Sequence, residues 1–406
     1  MTANRLLPTA LGLLLAIASN VHAADTATPT LSPPTPTVSA EPSVVAPAPT
    51  IAAKAYVLMD YETGDILASS NPDERMPMAS LTKMMTSYVI ASEIKAGRIS
   101  DEDMVEISPN AWAKNLEGSS LMFVEMGKTV KARDLHHGII IQSGNDSSIA
   151  MAEHVGGTES GFADLMNQHA KRLGMVNTHY MNATGLDHDD HYSTAHDLAI
   201  LARALIRDFP EEYKIYSQKE MVYNGIKQYN RNSLLWDTTL AVDGVKTGHT
   251  DKAGYCLVSS ATKDGMRLIG VVMGTASELM RKQESKKLLN YGFRYFENVT
   301  PVKAGETLHT QRIFMGDKDE LKMGVLNEVR ISIPIAKRKT MTANFVVNPG
   351  LTAPIQKGQE VGKIFIQLDG KDFRQLPLVA LEDVGEGGML SRALDWLRLK
   401  FQSLTQ

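Results

Sequence analysis

Ser80-Leu81-Thr82-Lys83, Ser143-Gly144-Asn145 and Lys246-Thr247-Gly248 stand in that order along a chain of 406 residues. A serine hydroxyl is a poor nucleophile at neutral pH and needs a base within hydrogen-bond reach. Lys83 can be that base, because a spacing of three on a helix stacks the two side chains one turn apart on one face. Its ammonium must first lose a proton. Burial in an apolar helix and the positive charge of Lys246 would both lower its pKa toward neutrality. Ser80 at a helix N-terminus also places backbone N–H groups beside a developing oxyanion.

Gly144 breaks the regular pattern between two helical stretches, so Ser143 and Asn145 can project from a loop into a cleft. There Ser143 can pass a proton to a leaving amine and Asn145 can bind a substrate amide. Lys246-Thr247-Gly248 leads into an apolar hairpin and is expected on or beside a sheet edge. Gly248 would let a substrate backbone approach, while Lys246 and Thr247 offer a charge and a hydroxyl to a carboxylate. Each motif alone has a plainer reading: a helix-capping serine with a surface lysine, a turn capped by Asn145 or Asp146, a polar edge strand. Ser-x-x-Lys recurs at Ser92/Lys95 and Ser260/Lys263, and Ser-x-Asn at Ser69/Asn71 and Ser108/Asn110. The ordered trio is what carries the inference, and it specifies serine acyl transfer with a lysine base.

These motifs need a mixed α and β scaffold to position them. Ala55 to Asp60 and a segment through Leu67 read as strands around a Glu62-Thr63-Gly64 turn. A helix from Ser80 to Gly97 is apolar on most sides and should be central and buried. Further helices are expected over Ala132–Gln142, Ser147–Val155, Thr158–Leu173 and Thr194–Phe209, with Gly174 and Pro210 as stops and Thr194/Asp197 as a capping box. Tyr255–Thr262 and Met266–Met273 form a hairpin across Lys263-Asp264-Gly265. The lone Cys256 in this hairpin is expected to be a small buried hydrophobe.

With 43% apolar residues the chain can bury a large core, most simply in two domains. Residues 1–23 carry Arg5, an apolar run and a Val21-His22-Ala23 end, which reads as a secretory signal cleaved after Ala23. Residues 24–50, nearly all Ala, Thr, Pro, Ser and Val, read as an extended tether. The catalytic region is expected over 51–298 and an all-β module over 299–384, where Val329, Ile331, Ile333 and Ile335 alternate and Asp369-Gly370 marks a turn. The last segment, 387–406, returns to helical spacing. Leu390, Ala393, Leu394, Leu397, Phe401 and Leu404 share one face, and Arg392, Asp395, Arg398 and Lys400 share the other. It reads as an amphipathic helix lying on a membrane surface. The net charge of −4, one unit more negative without Arg5, and the lack of any basic block exclude nucleic acid as a partner. No metal or cofactor is expected. Asp187-His188-Asp189-Asp190-His191 has ligand-like side chains, but contiguous loop residues seldom converge on one ion, and His136-His137 has no partner in view.

Longer stretches point the same way: Met59-Asp60-Tyr61, Ala79 to Tyr88, Ile141 to Asp146, Asn230-Arg231-Asn232, Leu234-Leu235-Trp236 and Val242 to Thr250. Over roughly 50–406 the chain resembles the low-molecular-mass penicillin-binding proteins, serine-type D-alanyl-D-alanine carboxypeptidases with a C-terminal β domain and a membrane-anchoring helix. The resemblance implies an α/β penicillin-binding, β-lactamase-like domain followed by the small β domain. It also implies hydrolysis of the terminal D-Ala-D-Ala bond of peptidoglycan stem pentapeptides, acylation by β-lactams, and a periplasmic site on the inner membrane. In those terms Ser80 is the acylated nucleophile, Lys83 its base, and Ser143 and Asn145 handle the proton and the amide. Lys246 shapes the electrostatics of the site and binds substrate with Thr247 and Gly248, backbone N–H groups of Ser80 and His249 form the oxyanion hole, and Arg231 helps hold the terminal carboxylate. The segment Trp112 to Ser120, expected over the site, departs from the family pattern by being shorter. Two other readings stay open: a β-lactamase, against which there is no Glu-x-x-Leu-Asn segment, and a weakly active wall-binding protein.

Overall fold

A computed structural model of the chain describes residues 47–402. The signal, most of the tether and Leu404 lie outside the described residues, as do the side chains of Arg398, Lys400 and Phe401. The scaffold of the site is an antiparallel sheet in the spatial order Ile66–Ser70, Ala55–Asp60, Met266–Thr275, Gly254–Lys263, Ala241–Thr250. The Lys-Thr-Gly strand is therefore an edge, as expected, with Thr247 opposite Leu257 and Gly248 opposite Cys256. Ala55–Asp60 is buried along its whole length because helices cover both faces of the sheet. On one face Val57, Val258 and Val271 pack in a core with Met84, Met85, Ile90 and Leu198. On the other, Leu58, Leu257, Leu268 and Val272 pack against Leu288 and Leu289 of helix Glu278–Tyr295. That long helix is absent from the elements expected from sequence.

The central helix is Lys83–Lys95, buried over most of its length, and Ser80 lies just before it in a 3-10 turn, Ala79–Thr82. The next expected helix is split: Ala132–His137 is α-helical and Gly138–Gln142 winds as a wider π-type turn. Helix Asn145–Gly156 then starts two residues earlier than the pattern indicates, and neither Asn145 nor Asp146 is its cap. The Thr194 cap is half of a capping box. Its hydroxyl accepts from Asp197 N at 3.1 Å, but the Asp197 carboxylate turns away to Asn177 N and Thr178 Oγ1. Pro210 does not simply stop a helix, since it opens the next turn, Pro210–Tyr213, where its missing N–H is no loss.

The β module has its own core, including Leu321, Ile331, Ile364 and Leu378, under a sheet ordered His309–Arg312, Glu320–Gly324, Lys371–Ala380, Glu360–Leu368, Met341–Val347. Polar contacts join it to the turn after the first strand. Ser332 Oγ lies 3.0 Å from Thr63 Oγ1, Asn298 Nδ2 donates to Asp60 Oδ2 at 2.8 Å, and Arg374 pairs with Asp65. The final helix, Met389–Gln402, departs from expectation at Asp395. Its carboxylate is buried and accepts from Met315 N at 2.8 Å, satisfying a backbone donor that would otherwise be lost. Leu390, Leu394 and Leu397 are 84%, 57% and 51% exposed.

Candidate active site

A cleft of about 470 Å³ opens between the edge strand and the helical lobe, lined by Ser80, Ser143, Asn145, Arg231, Thr247, Gly248 and His249. Lys83 and Lys246 lie behind its wall, both almost fully buried. All nine residues singled out from the sequence thus converge on one place.

Lys83 Nζ lies 3.1 Å from Ser80 Oγ and donates to Asn145 Oδ1 at 2.7 Å and to the Thr184 carbonyl at 2.6 Å. Burial lowers its pKa to about 7, although Asp146 and Glu159 pull it upward. The Ser80 turn is held in an uncommon backbone conformation, with Ala79 at φ +48°. Its carbonyl accepts from Thr82 Oγ1 at 2.8 Å.

Ser143 reaches the cleft because it, too, is left-handed, at φ 66°, between the π-type turn and the following helix. Lys246 Nζ donates to Ser143 Oγ at 3.0 Å and to Thr247 O at 3.2 Å. Its pKa is pushed well below the usual lysine value, first by burial and then by Lys83, Arg231 and Arg281. Asp146, next in sequence to Asn145, collects the N–H groups of Met122, Phe123, Val124 and Ser147 at 2.9, 2.7, 3.1 and 2.8 Å. Asn145 N donates to Ser120 O at 2.8 Å. These bonds pin the end of the 112–120 segment so that Gly118, Ser119 and Ser120 form one rim of the cleft.

Gly248 lines the cleft and has a further reason besides the one anticipated. A Cβ there would sit 2.9 Å from Met78 O and 3.2 Å from Leu81 N. The glycine lets the edge strand press against the nucleophile turn. Arg231 is aimed by its neighbours: Asn230 Nδ2 donates to Gln218 O at 2.9 Å and Asn232 Nδ2 to Gly244 O at 3.0 Å. His249 stacks on Tyr255 with ring centroids 3.9 Å apart.

Three residues of the site escaped the sequence reading. Thr184 acts through its backbone carbonyl, which leaves no trace in residue type. Glu278 and Arg281 line the cleft from the unexpected helix and pair at 2.9 Å. Ser277, which caps that helix through Met280 N, and the i,i+3 Glu–Arg pair were the signals available. The His/Asp-rich stretch is divided among separate partners. Asp187 accepts from Thr250 Oγ1, Asp189 pairs with Lys252, and His191 meets Thr82. His136 has a partner after all, since its Nε2 lies 2.7 Å from Ser87 Oγ. Cys256 is fully buried, and burial raises its thiol to about 11, so it is not a nucleophile.

Comparison with known proteins decides the family. Residues 42–277 match the model described as D-alanyl-D-alanine carboxypeptidase, and residues 296–386 match that of the penicillin-binding protein 5 C-terminal domain. The chain belongs to the D-alanyl-D-alanine carboxypeptidase family. It is 46% identical over 393 residues to D-alanyl-D-alanine carboxypeptidase DacA of Escherichia coli, covering 96% of this chain and 94% of that one. Against DacF of Bacillus subtilis the identity is 34%, over 86% of this chain and 90% of that one. Penicillin-binding protein 5 from Haemophilus influenzae superposes with a TM-score of 0.81 at 47% identity, over 84% of this chain and all (100%) of that one. Penicillin-binding protein D2 from Listeria monocytogenes, solved in its ampicillin-bound form, matches with a TM-score of 0.54 at 30% identity, over 61% of this chain and 100% of that one. The fold is accordingly the penicillin-binding, β-lactamase-like α/β domain followed by a small all-β domain.

Proposed function

We propose that the chain is a serine D-alanyl-D-alanine carboxypeptidase that removes the terminal D-Ala of peptidoglycan stem pentapeptides, with Ser80 as the acylated residue. The observation that carries this reading is the hydrogen bonding of Lys83. A neutral amine has two N–H donors and one lone pair. Asn145 Oδ1 and Thr184 O take the two donors, which leaves the lone pair for the Ser80 hydroxyl. The lysine is thereby held as a base.

The reaction follows from the geometry. The Ser80 proton passes to Lys83 as Oγ bonds to the carbonyl carbon of the penultimate D-Ala, and the oxyanion faces the backbone N–H groups of Ser80 and His249. As the C–N bond breaks, the departing D-Ala nitrogen takes a proton from Ser143, which is resupplied along the Lys246 hydrogen bond. The proton that Lys83 accepted then passes back through the site to restore Lys246, which leaves Lys83 a free amine. Water attacks the ester as Lys83 takes its proton, and Lys83 delivers that proton to Ser80 Oγ as the ester bond breaks, so the serine and both lysines end as they began. Arg231, Arg281 and Thr247 offer charge and a hydroxyl to the terminal carboxylate. This explains a requirement for a free C-terminus. A β-lactam presents the same acyl carbon and carboxylate, but its leaving nitrogen stays tethered.

The test is intact-mass analysis of the protein mixed with benzylpenicillin, with peptide mapping. A single adduct on Ser80, absent in Ser80→Ala, is expected. An adduct elsewhere, or none with the drug left intact, would sink the reading. Hydrolysed drug without an adduct would instead favour a β-lactamase.

The reading extends to location: export through residues 1–23 and attachment to the outer face of the inner membrane by the final helix. Three well-exposed leucines on that helix support attachment, and no helix among the described residues is long and apolar enough to cross a membrane.

A further inference from the structure

The imidazole of His191 bridges the loop before helix Ala195–Asp208 and the turn that carries Ser80. Each of its nitrogens has one partner. Nδ1 accepts from Met181 N at 2.9 Å, and Nε2 lies 2.7 Å from Thr82 Oγ1. These contacts fix every proton. A backbone N–H can only donate, so Nδ1 carries no hydrogen and Nε2 must carry one. Nε2–H therefore donates to Thr82 Oγ1, and the Thr82 hydroxyl in turn donates to Ala79 O, 2.8 Å away. The chain of bonds ends on the carbonyl immediately before Ser80.

That carbonyl needs holding. Ala79 has a positive φ of 48°, sparsely populated for a residue with a Cβ and maintained only when the surroundings over-determine it. Gly185 of the same loop closes on it from the other side, so tightly that a Cβ there would sit 1.9 Å from Ala79 O. His191 is buried and meets the ring of Tyr180 edge-on at 5.8 Å. Burial first, and then the neighbouring His179, His188 and Lys83, lowers its pKa to about 4, so the imidazole stays neutral. An imidazolium would set an N–H against Met181 N–H and break the chain of bonds at its start.

We propose that His191 is a positioning residue for Ser80, acting through Thr82 to fix the turn that aims the nucleophile. The inference rests on Ser80 being the acylated residue. His191 touches neither substrate nor the reacting atoms, and its role is to hold the neutral Nε2–H tautomer between Met181 and Thr82.

The experiment compares wild type, His191→Ala and His191→Gln in the full-length protein. A glutamine amide offers the same pair of groups, an acceptor for Met181 N and a donor for Thr82. Stopped-flow acylation by benzylpenicillin separates the dissociation constant of the first complex from the acylation rate constant. For His191→Ala the rate constant should fall roughly 10- to 100-fold with little change in the dissociation constant, as for a misaimed nucleophile. His191→Gln should recover most of that loss. An alanine variant that acylates at the wild-type rate, or a glutamine variant that folds yet does no better than alanine, would overturn the proposal. Should the alanine variant not fold, long-range ¹H–¹⁵N spectra of the wild type at neutral pH decide. The Nε2–H form supports the proposal, and the Nδ1–H form or an imidazolium overturns it. A wild type that takes no penicillin overturns both this inference and the functional reading, whereas normal acylation with an unimpaired alanine variant overturns only this one.

Discussion

Lys246 Nζ stands 3.0 Å from Ser143 Oγ, repeating at the second motif the pairing that Lys83 and Ser80 make at 3.1 Å. The site therefore holds two serine–lysine couples. Both lysines are buried and depressed in pKa, Lys83 by burial alone and Lys246 by burial and then by the charge of Lys83 among others. One couple suits proton removal from the nucleophile, the other proton delivery to the leaving nitrogen.

Replacing Lys83 by Ala should lower acylation of Ser80 by about 10²- to 10⁴-fold, the usual contribution of a general base. Lys83→Arg should fail as well, because a guanidinium does not give up its proton. Timed intact-mass measurements with benzylpenicillin read both rates. Near-wild-type acylation of either variant would remove Lys83 from the mechanism.

The acylation rate should depend on pH through the same lysine. Burial lowers its folded pKa to about 7, so the active free amine dominates above that value and the inert ammonium below it. The rate should fall about tenfold per pH unit well below 7 and level off above about 8. The same shift has a sign for stability. The unfolded lysine binds its proton up to its ordinary value, so this group makes the fold more stable as pH rises from about 7 toward that value. A rate that is flat from pH 5 to 9 would contradict the assignment.

Asp146→Asn tests what pins the cleft rim. The carboxylate accepts four backbone N–H groups, and an amide replaces one accepting oxygen with a donor. Leaving buried donors unpaired should destabilise the fold by about 2 kcal/mol or more. Thermal unfolding would show it as a lowered midpoint, and an unchanged midpoint would count against the role.

Arg281→Ala should weaken recognition of a free C-terminus. Losing one charged partner of a carboxylate should raise KM for a D-Ala-D-Ala peptide roughly tenfold while kcat changes less. An unaltered KM would leave Arg231 and Thr247 as the carboxylate site. Separately, removing the chain beyond Glu386 should leave penicillin acylation intact and move the protein from membrane to soluble fractions. Truncated protein still found in the membrane pellet would end the anchor proposal.

The sequence exposed the parts of this site that depend on side-chain type and short spacing. Ser80 and Lys83, Ser143 and Asn145, and the edge-strand triplet were legible because the chemistry needs those groups, and the buried strands were legible as apolar runs. Backbone contributions were not. The Thr184 carbonyl, the left-handed Ser143 and the π-type turn before it leave no residue signature. Helix Glu278–Tyr295 was missed because its buried face begins with the polar residues Arg281, Glu284 and Ser285, which leaves only Leu288, Leu289 and Tyr291 as an apolar signal. Asp395 was misplaced because periodicity assigns a charge to the solvent side, whereas the unpaired N–H of Met315 draws it inward. The close approach of Gly248 to Met78 and Leu81 was not legible, because it joins segments far apart in the chain.

Among the described residues, the two halves of the chain share no buried apolar cluster. The clusters around the site end with helix Glu278–Tyr295 and the start of the next strand, the module's own cluster draws on residues from Val299 onward, and the ties described between them are polar. Cooperativity in melting comes mainly from shared packing, so heat should dismantle this molecule in two steps. A calorimeter would then act as a selective reporter. Penicillin fixed on Ser80 should displace the transition of the catalytic half and leave the other where it was, so drug occupancy can be followed without watching any chemistry.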